Sequence, residues 1–240
     1  MRLRGGAITA AVVLLAVAGC TDQDTKGSSG SSGAGQPGSG GAALTVAESL
    51  AVKGRAPKTG YSRARFGTAW ADTDSNSCDT RDDILKRDLK EVRFTRGDCK
   101  VSYGLLEPDP YSGKDITYRR GRSQVDIDHV VALSDAWQKG AKYWDPSKRI
   151  ALANDPLNLL AVDASTNRGK GDGDTATWLP SNKAYRCAYV AAQVAVKKKY
   201  GLWVTGAEKA AMKDVLASCP DQKLPSGGNP TKAPERFRAR

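Results

Sequence analysis

The chain has 240 residues, with 37 Lys or Arg against 26 Asp or Glu and a formal net charge of +11. That excess favours polyanionic partners, whether nucleic acid, anionic lipid head groups or wall polymers, without choosing among them. One histidine in the whole chain excludes a zinc site built on imidazoles, and the apolar run from Ala7 to Ala18 is too short to span a bilayer as a helix.

Residues 1–20 read as an export signal: Arg2 and Arg4, the apolar run, then Gly19-Cys20. The ending "LLAVAGC" resembles a lipobox in which Cys20 is lipidated, which predicts an extracytoplasmic protein touching the membrane only through that anchor; an ordinary cleaved signal is the alternative. Loss of Arg2 and Arg4 with the signal leaves +9. Residues 21–41 are mostly Gly and Ser and read as a flexible tether. Residues 42–222 are expected to form one domain, and the Pro, Gly and Arg composition of 223–240 reads as a disordered basic tail.

Within the domain, "LTVAESLAVKG" predicts a helix closed by Gly54, and "GYSRARFGTAW" a loop whose aromatics pack on the core. "CDTRDDILKRDL" predicts a helix with Thr80 as its cap, and "EVRFTRGDCKVSYGLL" a hairpin about Gly97-Asp98. "ITYRRGRSQVDIDHVVAL" reads as a second hairpin turning at Gly121. Ser134 starts a short helix, Asp145-Pro146 opens another through Ala153, and Leu159 to Val162 is a strand leading to a helix from about Ser165. A helical hairpin ends the domain: Asn182 caps a helix through Tyr200, and Thr205 caps a second with Glu208 at the capping-box position. Lys197, Lys198 and Lys199 read as a solvated last turn, and Trp137, Trp144 and Trp178 as core. Apart from Cys20, four cysteines remain; an exported chain predicts two disulfides, and local spacing favours Cys78-Cys99 and Cys187-Cys219.

The lone histidine, His129, stands in "VDIDHVVAL" beside Asp128. It could be a metal ligand, a general base or a satisfied buried side chain. Oxygen donors surround it in sequence: Asp126, Asp128, Asn154, Asp155, Asn158, Asp163, Asn167, Asp172 and Asp174. Such a set suits one hard cation, Mg²⁺ or Mn²⁺, and a neutral imidazole can take a proton from water. Together they are what hydrolysis of a phosphodiester requires, the cation neutralising charge on the phosphate. In an extended strand Asp128 and His129 point to opposite faces and can supply one group each.

"DIDHVVAL" followed by "NLLAVDASTNRGKGD" resembles the HNH, or ββα-metal, endonuclease motif and is similar to the HNH domain of CRISPR RNA-guided nucleases. The wider pattern over residues 60 to 220 resembles exported bacterial HNH-type proteins related to the nuclease domain of modification-dependent restriction enzymes. The resemblance implies an α+β fold with a ββα-metal core, added helices and a hairpin. It implies His129 as general base, Asp128 and Asn167 as metal ligands, and Asn158 as the residue that holds the loop and orients the histidine. Asp126 is a candidate for supporting the ligands, and Arg168, Lys170 and Arg149 for holding phosphates, with ordinary surface or structural roles as alternatives. The implied protein is a monomeric, metal-dependent endonuclease acting on nucleic acid, DNA before RNA. The rival is a non-catalytic exported lipoprotein binding nucleic acid or anionic wall polymer.

Overall fold

The computed structural model describes residues 42–239. The expected signal, the lipidated Cys20 and the tether lie outside the described residues. The fold is mixed α+β with two small antiparallel sheets and two disulfides. Strands β1 (Lys90–Phe94), β2 (Val101–Leu106) and β3 (Ile116–Arg119) form one sheet in that order, and β4 (Val125–His129) pairs with β5 (Leu159–Asp163) in the other. The first hairpin forms about Gly97, whose φ of +63° suits glycine. The second expected hairpin does not. β3 pairs with β2, while β4 pairs with β5 in the register Asp128 opposite Leu160 and His129 opposite Leu159. The reason is burial: β3 alternates buried and exposed, whereas β4 is covered on both faces and needs an equally covered partner.

Seven α-helices surround these sheets among the described residues: α1 (Ala43–Ser49), α2 (Thr80–Asp88), α3 (Leu133–Gln138), α4 (Pro146–Ala153), α5 (Ala164–Lys170), α6 (Arg186–Tyr200) and α7 (Gly206–Ala217). Local chemistry sets their ends. The cap of α2 is Asp79, not Thr80; its side chain accepts from Asp82 N, while the Thr80 hydroxyl donates to the Ala71 carbonyl. Asp145 caps α4 with Pro146 in its first turn, and Asp163 caps α5 by accepting from Thr166 N at 2.7 Å. Gly201, left-handed at φ +69°, ends α6. Asn182 is followed by a 3-10 turn rather than by the helix itself, and its side chain makes no cap bond.

The β4–β5 ribbon lies between two cores. Val125, Ile127, Leu159 and Ala161 pack with Ile84, Leu85 and the three-stranded sheet, while Val130 and Val162 belong to the cluster of α1, α6 and α7. Disulfides Cys78–Cys99 and Cys187–Cys219 form as expected, with Cα separations of 5.2 and 6.4 Å. Beside the second core is a buried charge network. Lys139 pairs with Asp135, Asp174 and Glu208, Lys197 with Asp135 and Glu208, and Arg55 with Asp135 and Asp174. Lys197 is therefore not on a solvated turn: its side chain is fully buried, and Glu208 turns inward to it instead of completing a capping box. Burial raises the Asp135 pKa, but Lys197 and Lys139 overcome it and bring the carboxyl down to about 2.

The start of the described chain meets the residues that follow α7. Ala43 N donates to Gln222 O at 2.9 Å, a β-bridge joins Ala42 to Lys223, and α1 packs on α7. The C-terminal segment is not a free tail. Asn229 N donates to Asp155 Oδ1, Ala233 N to Ser147 O, and Arg236 to Asp72 O, while Phe237 and Ala239 pack on the core of α3 and α4. Its apolar residues, Ala233 and Phe237, outweigh the Pro and Gly composition that suggested disorder.

Candidate active site

His129 is the last residue of β4 and Ala153 the last of α4, where helical carbonyls lack partners along the chain. The His129 Nε2 donates to the Ala153 carbonyl at 2.9 Å. A carbonyl can only accept, so Nε2 carries the proton and Nδ1 keeps the free lone pair. Trp70 stacks on the imidazole at 6.2 Å with the rings 9° from parallel. Burial lowers the His129 pKa to about 4; the Ala153 bond opposes the fall, and the positive charges of Arg63 and Lys170 add to it. The imidazole is thus neutral at neutral pH. It lines two clefts: one of about 220 Å³ shared with Asp128, Asn167, Arg63 and Asp172, and one of about 120 Å³ shared with Trp70, Arg63, Ala153 and Asn154.

Asp128 leaves the strand on the opposite side from His129, as strand alternation requires. Its carboxylate accepts from Tyr111 Oη at 2.6 Å and from Lys170 Nζ at 3.1 Å on Oδ1 and 2.9 Å on Oδ2. Burial pushes the Asp128 carboxyl above the usual range, against the lowering effect of Lys170 and Tyr111. Lys170 also donates to the His129 carbonyl at 2.9 Å, so it joins the end of α5 to the end of β4. Asn167, one turn earlier on α5, donates through Nδ2 to Asp126 Oδ2 at 3.3 Å. That contact places Asp126 beside Asn167 and leaves the side-chain oxygen Oδ1 of Asn167 without a hydrogen bond among the described residues. Asn158 is fully buried: Val131 N donates to its Oδ1 at 2.8 Å, and its Nδ2 donates to the carbonyls of Leu152 and Val131. It ties the loop after β4 to the end of α4 that holds the imidazole.

The candidates for phosphate contact divide. Lys170 is buried against Asp128, and Arg149 is buried with Nε donating to Arg65 O and Nη1 to Trp144 O, so both are committed internally. Arg168 is exposed but lines a different cleft, with Lys114, Ser123 and Asp163. Arg63, Trp70 and Tyr111 are at the site without having been singled out from the sequence. Trp70 and Arg63 lie in a loop whose aromatics signalled only packing, and Tyr111 in a turn-rich stretch; no local spacing tied them to His129.

The family of C-terminal domains of GmrSD restriction endonucleases matches residues 79–215, which include β4, β5, α5 and every residue of the Asp128–Lys170 constellation. The chain belongs to this family. The GmrSD-type span begins at the α2 cap and stops inside α7, so Arg63 and Trp70 are added from before it. An uncharacterized secreted protein of Arthroderma benhamiae is 40% identical over 179 residues, covering 74% of this chain and 84% of its own. That relative is fungal, so this kind of protein is not confined to bacteria. No solved structure matches the chain. No described helix is long and apolar enough to cross a membrane.

Proposed function

We propose that this nuclease-related protein is an HNH-type, metal-dependent endonuclease that hydrolyses nucleic acid, DNA in preference to RNA, outside the cytoplasm. The supporting observation is the His129–Ala153 bond, which fixes a neutral imidazole with Nδ1 free, next to Asp128 on the opposite strand face. β4, β5 and the directly following α5, which packs on both strands, supply the ββα arrangement the reading needs. His129 Nδ1 removes the proton from the attacking water, and Asn158 holds the carbonyl-bearing end of α4 in register with it.

The donor chemistry fits a hard divalent ion with few protein ligands: Asp128 and Asn167, a carboxylate and an amide, are among the residues that line the cleft holding His129. Among the described residues no group of three or more His, Cys, Asp or Glu gathers as a metal cage, so water and phosphate would complete the shell. Mg²⁺ or Mn²⁺ bound there would neutralise charge on the phosphate and leaving oxygen. Lys170 is the rival cation on the same carboxylate. That pairing favours, as a second reading, an exported protein that binds nucleic acid without cutting it. Lipid anchoring at Cys20 and a monomeric state complete the proposal.

The purified oxidised protein, incubated with supercoiled plasmid, single-stranded DNA and RNA under Mg²⁺, Mn²⁺, Zn²⁺ or EDTA, tests it. Nicking abolished both by EDTA and by His129→Ala supports the enzyme. Retention of intact substrate under every metal transfers the assignment to the binding protein.

A further inference from the structure

The side chains expected to hold phosphates are either buried or line a different cleft from His129, yet a polyanionic substrate needs cations near the base. One exposed arginine lines the clefts at His129, and two more stand on the segments that form or adjoin the cleft wall. Arg63 lines both clefts that reach His129, and Arg65 follows two residues later in the same 3-10 turn, Arg63–Phe66. Neither forms an ion pair among the described residues.

The third is Arg238, brought by the C-terminal segment. Gly67, at φ +84°, sits on the wall of the Trp70 cleft, and a Cβ there would lie 3.4 Å from the Arg238 carbonyl and 2.7 Å from Ile150 Cγ1. Phe237 and Ala239 on either side of Arg238 pack on the core that contains Phe66 and Ala153, whose residues also line this cleft. Arg238 itself donates only to the nearby carbonyls of Glu235 and Phe237 and is exposed. Arg236, by contrast, is tied to Asp72 and Ser75.

We infer that Arg63, Arg65 and Arg238 form a phosphate track on the Trp70 side of His129, so that the C-terminal segment is part of the nucleic-acid-binding face. The inference rests on nucleic acid being the substrate, as proposed above. The track combines chain before and after the family-matched span, 79–215. The segment's apolar residues anchor it and leave Arg238 exposed; its basic composition then serves binding at a fixed place rather than diffuse attraction. The backbone contact carries no base identity, so the track predicts affinity without sequence preference.

The test uses the full chain carrying His129→Ala, so that binding is read without cleavage, and a fluorescein-labelled DNA duplex titrated at several NaCl concentrations. In this background Arg63→Gln, Arg65→Gln and Arg238→Gln are combined and compared with a variant of equal charge loss, Lys90→Gln, Lys198→Gln and Lys213→Gln, three exposed lysines on β1, α6 and α7 rather than on the 63–67 turn or the C-terminal segment. Each lost phosphate contact should reduce the slope of log K against log salt by about 0.9 for duplex DNA. The arginine variant should lose a slope of about two to three and at least tenfold in affinity, and the lysine variant clearly less, both with unchanged thermal midpoints. Equal losses in the two variants, or none in the arginine variant, overturn the track while leaving the nucleic-acid reading intact. Absence of DNA binding by the parent overturns both.

Discussion

His129 Nε2 lies 2.9 Å from the carbonyl oxygen of Ala153, so the end of one helix decides which nitrogen of the imidazole is basic. A glutamine at 129 can keep a donor toward that carbonyl but has no basic nitrogen. His129→Gln should therefore preserve the fold and DNA affinity while cleavage falls by about 10² to 10⁴, the usual contribution of a positioned base. Circular dichroism, anisotropy and plasmid nicking on the same preparation check it. Near-normal nicking would assign the proton transfer to another group.

Lys170 and Asp128 should behave as one unit. Replacing Lys170 with Met leaves a buried carboxylate without its cation and should cost about 3 kcal/mol in urea unfolding. Asp128→Asn should be comparably harmful, and the double variant should cost less than the two singles together. Strict additivity would mean that the pair contributes nothing as a pair.

Much of this architecture was legible because its signals are local. Asp145-Pro146 announced α4, Gly97-Asp98 the first hairpin, and the spacing of Cys187 and Cys219 the linked helices. Asp128, His129 and Asn167 were readable as a set, and they line one cleft. What escaped depends on contacts remote in sequence. Whether β4 would pair with β3 or β5 turns on which partner is covered on both faces, and the fate of Lys197 turns on Asp135, 62 residues away. The Arg63 and Trp70 loop shows no chemistry until folding brings it to His129. In the C-terminal segment, two well-placed apolar residues outweighed a composition that suggested disorder.

The buried network gives a pH signature. Asp135 has a folded pKa of about 2 against 3.8 for an ordinary aspartate, so its ionised form favours the folded state. The unfolded chain takes up the proton first as pH falls. The contribution is complete above about pH 4 and is lost as pH drops through 2, amounting to about 2 kcal/mol. The stability difference between the parent and Asp135→Asn should shrink by that amount between pH 5 and pH 2 in urea titrations. A difference independent of pH would remove Asp135 as its source.

The Cys187–Cys219 bridge closes a loop with a sequence separation of 32, and chain entropy assigns such a bridge about 3 to 4 kcal/mol. Replacing both cysteines with serine should lower stability by that order. The Asp135 network ties the same two helices together through Lys197 on α6 and Glu208 on α7, at the opposite end of the hairpin from the bridge, so it should still form and the Asp135 pH signature should persist. Calorimetry with and without the bridge measures the first, and the same urea titrations the second.

The contact between Ala43 and Gln222 means that α1, near the start of the described chain, finds its place only beside α7 and the residues that follow it. Such a pairing has a high contact order, so it forms late in folding and its entropic cost is met only after the intervening chain has collapsed. A nascent chain has its ribbon and histidine long before it has α7. Arrival of α7 and of the segment after it, rather than synthesis of the motif, sets the moment at which this protein acquires its finished shape.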